Sequence, residues 1–242
     1  GGWGTFCHGE ERHLPSGLID RYSVVIFDHR GLGQSGDNDA VPATTGLYAD
    51  DVIGLADHLG IERAHLVGIV GIGACIFQEV ALRKPDLARS MVNTGCWARA
   101  DDFFRTQLKM WLDVHEQLGF DAFQRLVVME AFPADFFMQR RDRLLGPDGG
   151  WKDLNGNIPL QRRLTQAGLS HDTLDRLGEI KAPTLVAHNA MDFITGPRLT
   201  LPVEQRIPGA RGHTFAKASH VMTDRDERTF FAVMLLDFLA ET

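Results

Sequence analysis

The stretch Ala64-His-Leu-Val-Gly-Ile-Val-Gly-Ile-Gly-Ala-Cys-Ile-Phe-Gln-Glu-Val-Ala-Leu-Arg83 decides the fold. Its first part, Ala64 to Val70, is a short apolar run with β-branched residues and reads as a strand buried on both faces. Gly71-Ile-Gly73 turns the chain, and Ala74 to Arg83 reads as a helix that Pro85 ends. Outward from this unit the pattern repeats. Tyr22 to Phe27 reads as an earlier buried strand, followed by the break Gly31-Leu-Gly33-Gln-Ser-Gly36 and a helix over 48–59 closed by Gly60. Ser90 to Asn93 is a short third strand. From about Asp101 to Asp175 the spacing turns helical and dense in aromatics, among them Phe104, Trp111, Phe123, Phe132 and Phe136. The β-α rhythm then returns with a strand over 182–187, a last strand over 210–215 and a closing helix over 225–240. The expected architecture is α/β: a mostly parallel sheet with helices on both faces, built from residues 1–100 and 176–242, and split by a helical insertion over 101–175.

Composition narrows the function. The 242 residues carry 32 acidic against 25 basic side chains, a net charge of −7 that argues against a nucleic-acid binder. The longest apolar run, beginning at Thr229, is interrupted by Asp237 and is too short to span a membrane. Three cysteines, Cys7, Cys75 and Cys96, form neither a disulfide framework nor a zinc-type spacing, so no metal or cofactor is expected and a reducing cytoplasm is the expected setting. The chain opens on Gly1-Gly2-Trp3-Gly4, which is loop chemistry with no strand before it. The expectation is that early N-terminal strands are missing, and the plainer alternative is a flexible tail. The expected partner is a small-molecule substrate, and a homodimer is compatible with the sequence.

In open parallel sheets the chemistry gathers beyond the C-terminal ends of the strands. Asp28-His-Arg-Gly-Leu-Gly follows the first strand read here, Gly68-Ile-Val-Gly-Ile-Gly73 the second, His188-Asn-Ala-Met-Asp192 the strand after the insertion, and Ser219-His220 the last. An acid after one late strand and a histidine after the next follow the order Ser…Asp/Glu…His. These residues resemble the α/β-hydrolase superfamily over essentially the whole chain. Phe27-Asp-His-Arg-Gly-Leu-Gly-Gln-Ser35 is similar to its Asp-x-Arg-Gly-x-Gly-x-Ser turn, and the segments ending at Asp192 and His220 resemble those that deliver the triad acid and histidine. The resemblance implies an α/β-hydrolase fold with a helical cap and an oxyanion hole formed by Gly2, Trp3 and the elbow residue Ile72. It also implies a His220 that receives its orientation from Asp192.

The elbow departs from the pattern. It should read Gly-x-Ser-x-Gly. Alignment from the strand side puts Val70 in the nucleophile position, and alignment from the helix side puts Gly71 there. Neither is a nucleophile. Replacements are poor: Cys75 lies a helical turn further on and suits the core, Cys7 and His8 are sequence neighbours whose side chains diverge, Ser35 belongs to a turn, and Asp28 reads as a structural turn residue. The expected chemistry is therefore water attack on a labile carbonyl or C–N substrate, with His220 as base. A lyase or decarboxylase, a ligand-binding pseudoenzyme and an inactivated variant are the alternatives. Met91-Val-Asn-Thr-Gly-Cys-Trp97, Ala131-Phe-Pro-Ala-Asp-Phe-Phe137 and Ser170-His-Asp-Thr-Leu-Asp175 are similar to the aminoacrylate (carbamate) hydrolases of pyrimidine utilisation, which implies a carbamate, enamine, amide or activated ester substrate. Arg140-Arg141-x-Arg143 and Arg162-Arg163 are candidates for gripping a substrate carboxylate, against the plainer reading of solvated helix faces.

Overall fold

The structure, a computed structural model, describes residues 14–242. Four strands, β1 (Ala64–Gly68), β2 (Ala88–Thr94), β3 (Thr184–Asn189) and β4 (Arg211–Phe215), pair in the order β1-β2-β3-β4, and every pairing is parallel. Because side chains alternate across a strand, neighbouring residues enter opposite layers. Leu66, Met91 and Val186 join the larger core with helices α2 (Thr45–His58), α3 (Ile72–Arg83) and α8 (Pro197–Arg206). Val92, Leu185 and Ala187 face the other way, onto Leu18 of α1 (Leu18–Arg21) and Phe231, Leu235 and Leu239 of α9 (Arg225–Glu241). Helices on both faces of a parallel sheet are thus what the continuous apolar strands predict.

Between β2 and β3 the chain forms α4 (Asp102–Leu118), α5 (Phe120–Ala131), α6 (Ala134–Leu144) and α7 (Ile158–Ser170). The Asp101 side chain starts α4 by accepting the N–H of Phe104, and Asn157 does the same for α7 through Leu160. Phe104, Leu108 and Trp111 recur at i, i+4 and i+7 on α4 and are all buried.

Two readings of the sequence need correction. Tyr22–Phe27 belongs to no ladder among the described residues, and Val25 and Ile26 are exposed. A β-branched run carries strand propensity, but a strand also needs a neighbour to take its N–H and C=O groups, and none of the described segments lies there. Tyr22 instead packs edge-on against His65, at 5.6 Å between ring centroids. Helix α8 is not evident from the sequence pattern because Pro202 inside it masks the periodicity.

Candidate active site

β3 ends at Asn189, and the chain turns at once to present Asp192. Its Oδ1 accepts the N–H groups of Ile194 (2.8 Å) and Thr195 (2.9 Å), and its Oδ2 accepts the Thr195 hydroxyl (3.0 Å). The carboxylate is thereby locked by its own turn. The loop after β4 is tied beside it: Met191 N–H donates to the Ala218 carbonyl (2.9 Å), and Asn189 Nδ2 donates to the Ser219 carbonyl (2.8 Å). The next residue is His220, whose Nδ1 lies 3.0 and 3.2 Å from the two carboxylate oxygens. An ionised carboxylate only accepts, so Nδ1 carries the proton. Both side chains are buried. Burial is the largest influence on Asp192 and pushes its pKa up. The His220 charge and hydrogen bond, with the Thr195 and Ile194 amides, outweigh it and hold the carboxyl below its ordinary value. His220 Nε2 makes no hydrogen bond to the described residues.

The elbow between β1 and α3 carries both candidate nucleophile positions. A Cβ on Gly68 would lie 2.4 Å from the Ala74 Cα, so the strand-side glycine is demanded by the close crossing of strand and helix. Gly71, at φ 77° and ψ −135°, immediately precedes Ile72, the first residue of α3. Val70 between them has φ 61°. Two successive residues therefore occupy positive φ. The strand-side and helix-side registers differ by one residue, and both candidate positions have positive φ. A β-branched residue at positive φ costs on the order of 1–3 kcal/mol. The strain is held by two hydrogen bonds to the end of β2: Val70 N–H to Thr94 Oγ1 (2.9 Å) and Gly71 N–H to the Gly95 carbonyl (3.1 Å).

Val70, Gly71, Thr195 and His220 line one cavity of about 1070 Å³, walled on the insertion side by Phe104, Trp111 and Phe136. The structure thus brings Asp192, His220 and both elbow candidates together. Ile72 is fully buried at the start of α3. Gly2 and Trp3, like Cys7 and His8, lie outside the described residues. Cys75 is buried, donates to the Trp97 carbonyl and has its thiol pushed well above the ordinary range by burial, which removes it as a nucleophile. Ser35 donates to the Asp28 carbonyl (2.7 Å) within its turn. Arg163 is neither a substrate clamp nor a solvated residue: it pairs with Asp37 and donates to the Val41 carbonyl (2.9 Å), tying α7 to the early turn. Arg162 pairs with Glu116. Among the described residues no three His, Cys, Asp or Glu side chains converge as a metal-binding group.

Two contributors escaped the sequence reading. Thr195 touches both members of the pair, its hydroxyl 3.2 Å from His220 Nδ1. Its signal was local: a side-chain acceptor three residues upstream, in Asp192-Phe-Ile-Thr195. Glu130 had no such signal. It ends α5 next to Ala131, whose carbonyl accepts the N–H of Val221, the residue after His220 (3.0 Å). Burial foremost raises the Glu130 pKa, opposed by hydrogen bonds from Trp111 and Gln107 and by the charge of His220.

A family model for the alpha/beta hydrolase fold matches residues 1–224. The chain belongs to the α/β-hydrolase family. Among the relatives of this α/β-hydrolase is a protein of Agrobacterium fabrum named "Putative carbamate hydrolase RutD", 29% identical over 92% of this chain and 84% of the relative. A protein of the same name from a Caulobacter strain is 29% identical over 97% and 86%. Solved α/β-hydrolase structures agree in fold. A metagenome-derived enzyme from the Medee basin superposes with a TM-score of 0.76 at 23% identity, covering 87% of this chain and 76% of its own. The enol-lactonase of Burkholderia xenovorans gives 0.74 at 24%, covering 88% and 79%.

Proposed function

We propose that this α/β-hydrolase cleaves a small carbonyl or C–N substrate with a labile C–N or C–O bond, a carbamate, enamine, amide or activated ester, by water attack in place of a covalent nucleophile. One observation carries the reading: an imidazole anchored by Asp192 through Nδ1 lines a cavity beside an elbow that offers only Val70 and Gly71. The names of the relatives support the C–N substrate class.

In this mechanism Nε2 of His220 removes a proton from water as the water oxygen bonds to the carbonyl carbon, or to the C=N carbon of an enamine in its C-protonated iminium form, and later returns it to the departing nitrogen or oxygen. Asp192 keeps Nδ1 protonated and stabilises the imidazolium that forms. The developing oxyanion needs fixed N–H donors. The Val70 and Gly71 amides are already engaged by Thr94 and Gly95, so neither serves. Ile72, first in its helix, has an N–H with no partner within α3, and this is the elbow donor. The second donor is assigned to Gly2 and Trp3 on the family resemblance. Helices α4–α7 act as the cap that keeps the reaction from bulk water. Loss of the covalent step leaves roughly 10³–10⁴-fold acceleration from the oxyanion hole and binding, enough for labile substrates only.

The test is turnover of carbamates and activated esters by His220→Ala, run in heavy-oxygen water with the parent enzyme. The proposal expects loss of turnover in the variant and label in the parent's product. Full activity without the imidazole removes the proposal, and an unlabelled product transfers the site to lyase or decarboxylase chemistry.

A further inference from the structure

The wall of the cavity is cationic although the protein is acidic. Helix α6 turns Phe136, Arg140 and Arg143 to it, at i, i+4 and i+7, and helix α9 turns Arg225, Arg228, Thr229 and Ala232, again at helical spacing. The arginines therefore sit on the stripes that face the cavity. Arg141, on another face of α6, does not line it and pairs with Asp142. The side chains of Arg140, Arg143, Arg225 and Arg228 make no hydrogen bond or ion pair among the described residues, whereas Arg99, Arg163 and Arg176 pair with carboxylates and Arg63, Arg125 and Arg206 are unpaired away from the cavity. The lining carboxylates do not neutralise them: Asp148 lies 3.6 Å from Lys152, and Asp153 has a partner of its own.

Four unpaired guanidinium groups lining one cavity raise the local potential and offer planar forks suited to a carboxylate or phosphate. The same cavity is lined by aromatic side chains, with Phe132 and Phe136 stacked at 5.5 Å. At about 1070 Å³ the cavity stands at the upper end of ligand pockets, and a substrate of a few heavy atoms would fill little of it. We infer that the site takes an amphipathic anion: an apolar body along the aromatic wall, with a carboxylate or phosphate held by the lining arginines, Arg140 and Arg143 of α6 and Arg225 and Arg228 of α9. This rests on the cavity being the substrate site of the hydrolase proposed above. The arginines are exposed, so solvent and salt screen them and the expected preference is moderate, about tenfold per helix pair.

Trp97, Trp111 and Trp151 line the cavity and report binding by fluorescence. Binding to the full chain is measured for 4-phenylbutanoate, 4-phenylbutyl phosphate and the neutral 4-phenylbutanamide, at low and high salt. At least one anion should bind about tenfold or more tightly than the amide, with the margin shrinking in salt. The ratio of the two anions identifies the preferred headgroup. The double variants Arg140→Gln/Arg143→Gln and Arg225→Gln/Arg228→Gln should each cut the preference about tenfold while leaving amide binding unchanged. Being surface changes, they should keep the parent melting temperature. Equal binding of amide and anions, absence of saturable anion binding at millimolar concentration, or retention of the preference in both variants overturns the inference. His220→Ala separates the two proposals: it should abolish turnover and keep the anion preference. Anion preference with no turnover in the parent leaves this inference standing and removes the catalytic one. Turnover of neutral esters without anion preference does the reverse.

Discussion

His171 closes the helical insertion, following α7 where the chain returns to the core, and its titration should set the acid limit of the fold. The ring is buried, with Nδ1 2.8 Å from Thr45 Oγ1 on α2 and Nε2 3.2 Å from Gln78 Oε1 on α3. The Gln78 amide nitrogen already donates to Asn93 Oδ1 and to the Trp97 carbonyl, so its oxygen is an acceptor. Nε2 of His171 therefore carries the proton and Nδ1 accepts from Thr45, a neutral ring with both nitrogens satisfied. Burial above all lowers its pKa from 6.5 to about 4, with Arg176 acting in the same direction, while Glu79, Asp172 and the Trp97 carbonyl pull the other way. The unfolded chain binds this proton near 6.5 and the folded chain only near 4. The neutral ring's contribution is thus intact above the unfolded value and is lost as pH falls from 6.5 toward 4. The full difference is on the order of 3 kcal/mol, of which about 2 kcal/mol is gone by pH ~5. The perturbation is His171→Gln, which keeps a donor and an acceptor but does not titrate. Urea unfolding at pH ~7.5 and pH ~5 should show the parent losing about 2 kcal/mol more than the variant between the two conditions. Equal losses would refute the claim that a buried neutral imidazole holds the insertion to the core.

Three further outcomes concern the site. Asp192→Asn leaves the turn but removes the acceptor that fixes the His220 tautomer, so kcat should fall by about 10³–10⁴ with KM little changed, read by steady-state kinetics. Thr195→Val keeps the shape and deletes the hydroxyl shared by Asp192 and His220. A loss of about tenfold in kcat, recovered by Thr195→Ser, is expected, and an unchanged kcat would make that contact structural only. Gly71→Ser places a hydroxyl on the residue at φ 77° at a cost of about 1 kcal/mol in stability. It should convert hydrolysis of an aryl ester into burst kinetics with an acyl-enzyme, and a folded variant without a burst would move the nucleophile position away from residue 71.

The pair at the centre of the site was legible because each member stands at a strand end. Asp192 follows β3 and His220 follows β4, so parallel pairing alone delivers both to the same edge of the sheet. The elbow backbone was not legible in the sequence, since the two positive φ angles at Val70 and Gly71 depend on hydrogen bonds to Thr94 and Gly95. Glu130 was invisible for a different reason. Ninety residues of chain separate it from His220, and only the docking of the α5 terminus onto Val221 joins them.

What the chain itself determined is whatever depends on local pattern: continuous apolar runs make buried parallel strands, helical spacing makes the flanking layers, and the residues beyond each strand form the candidate chemistry. What tertiary structure alone decided is whatever depends on a partner distant in sequence. Tyr22–Phe27 stays outside the ladder despite strand-forming residues, Arg163 becomes a tie to Asp37, and Arg140 and Arg143 turn toward a cavity that α9 completes. A side chain's propensity is its own, but its role is set by the charge, hydrogen-bonding group or empty volume that folding places opposite it.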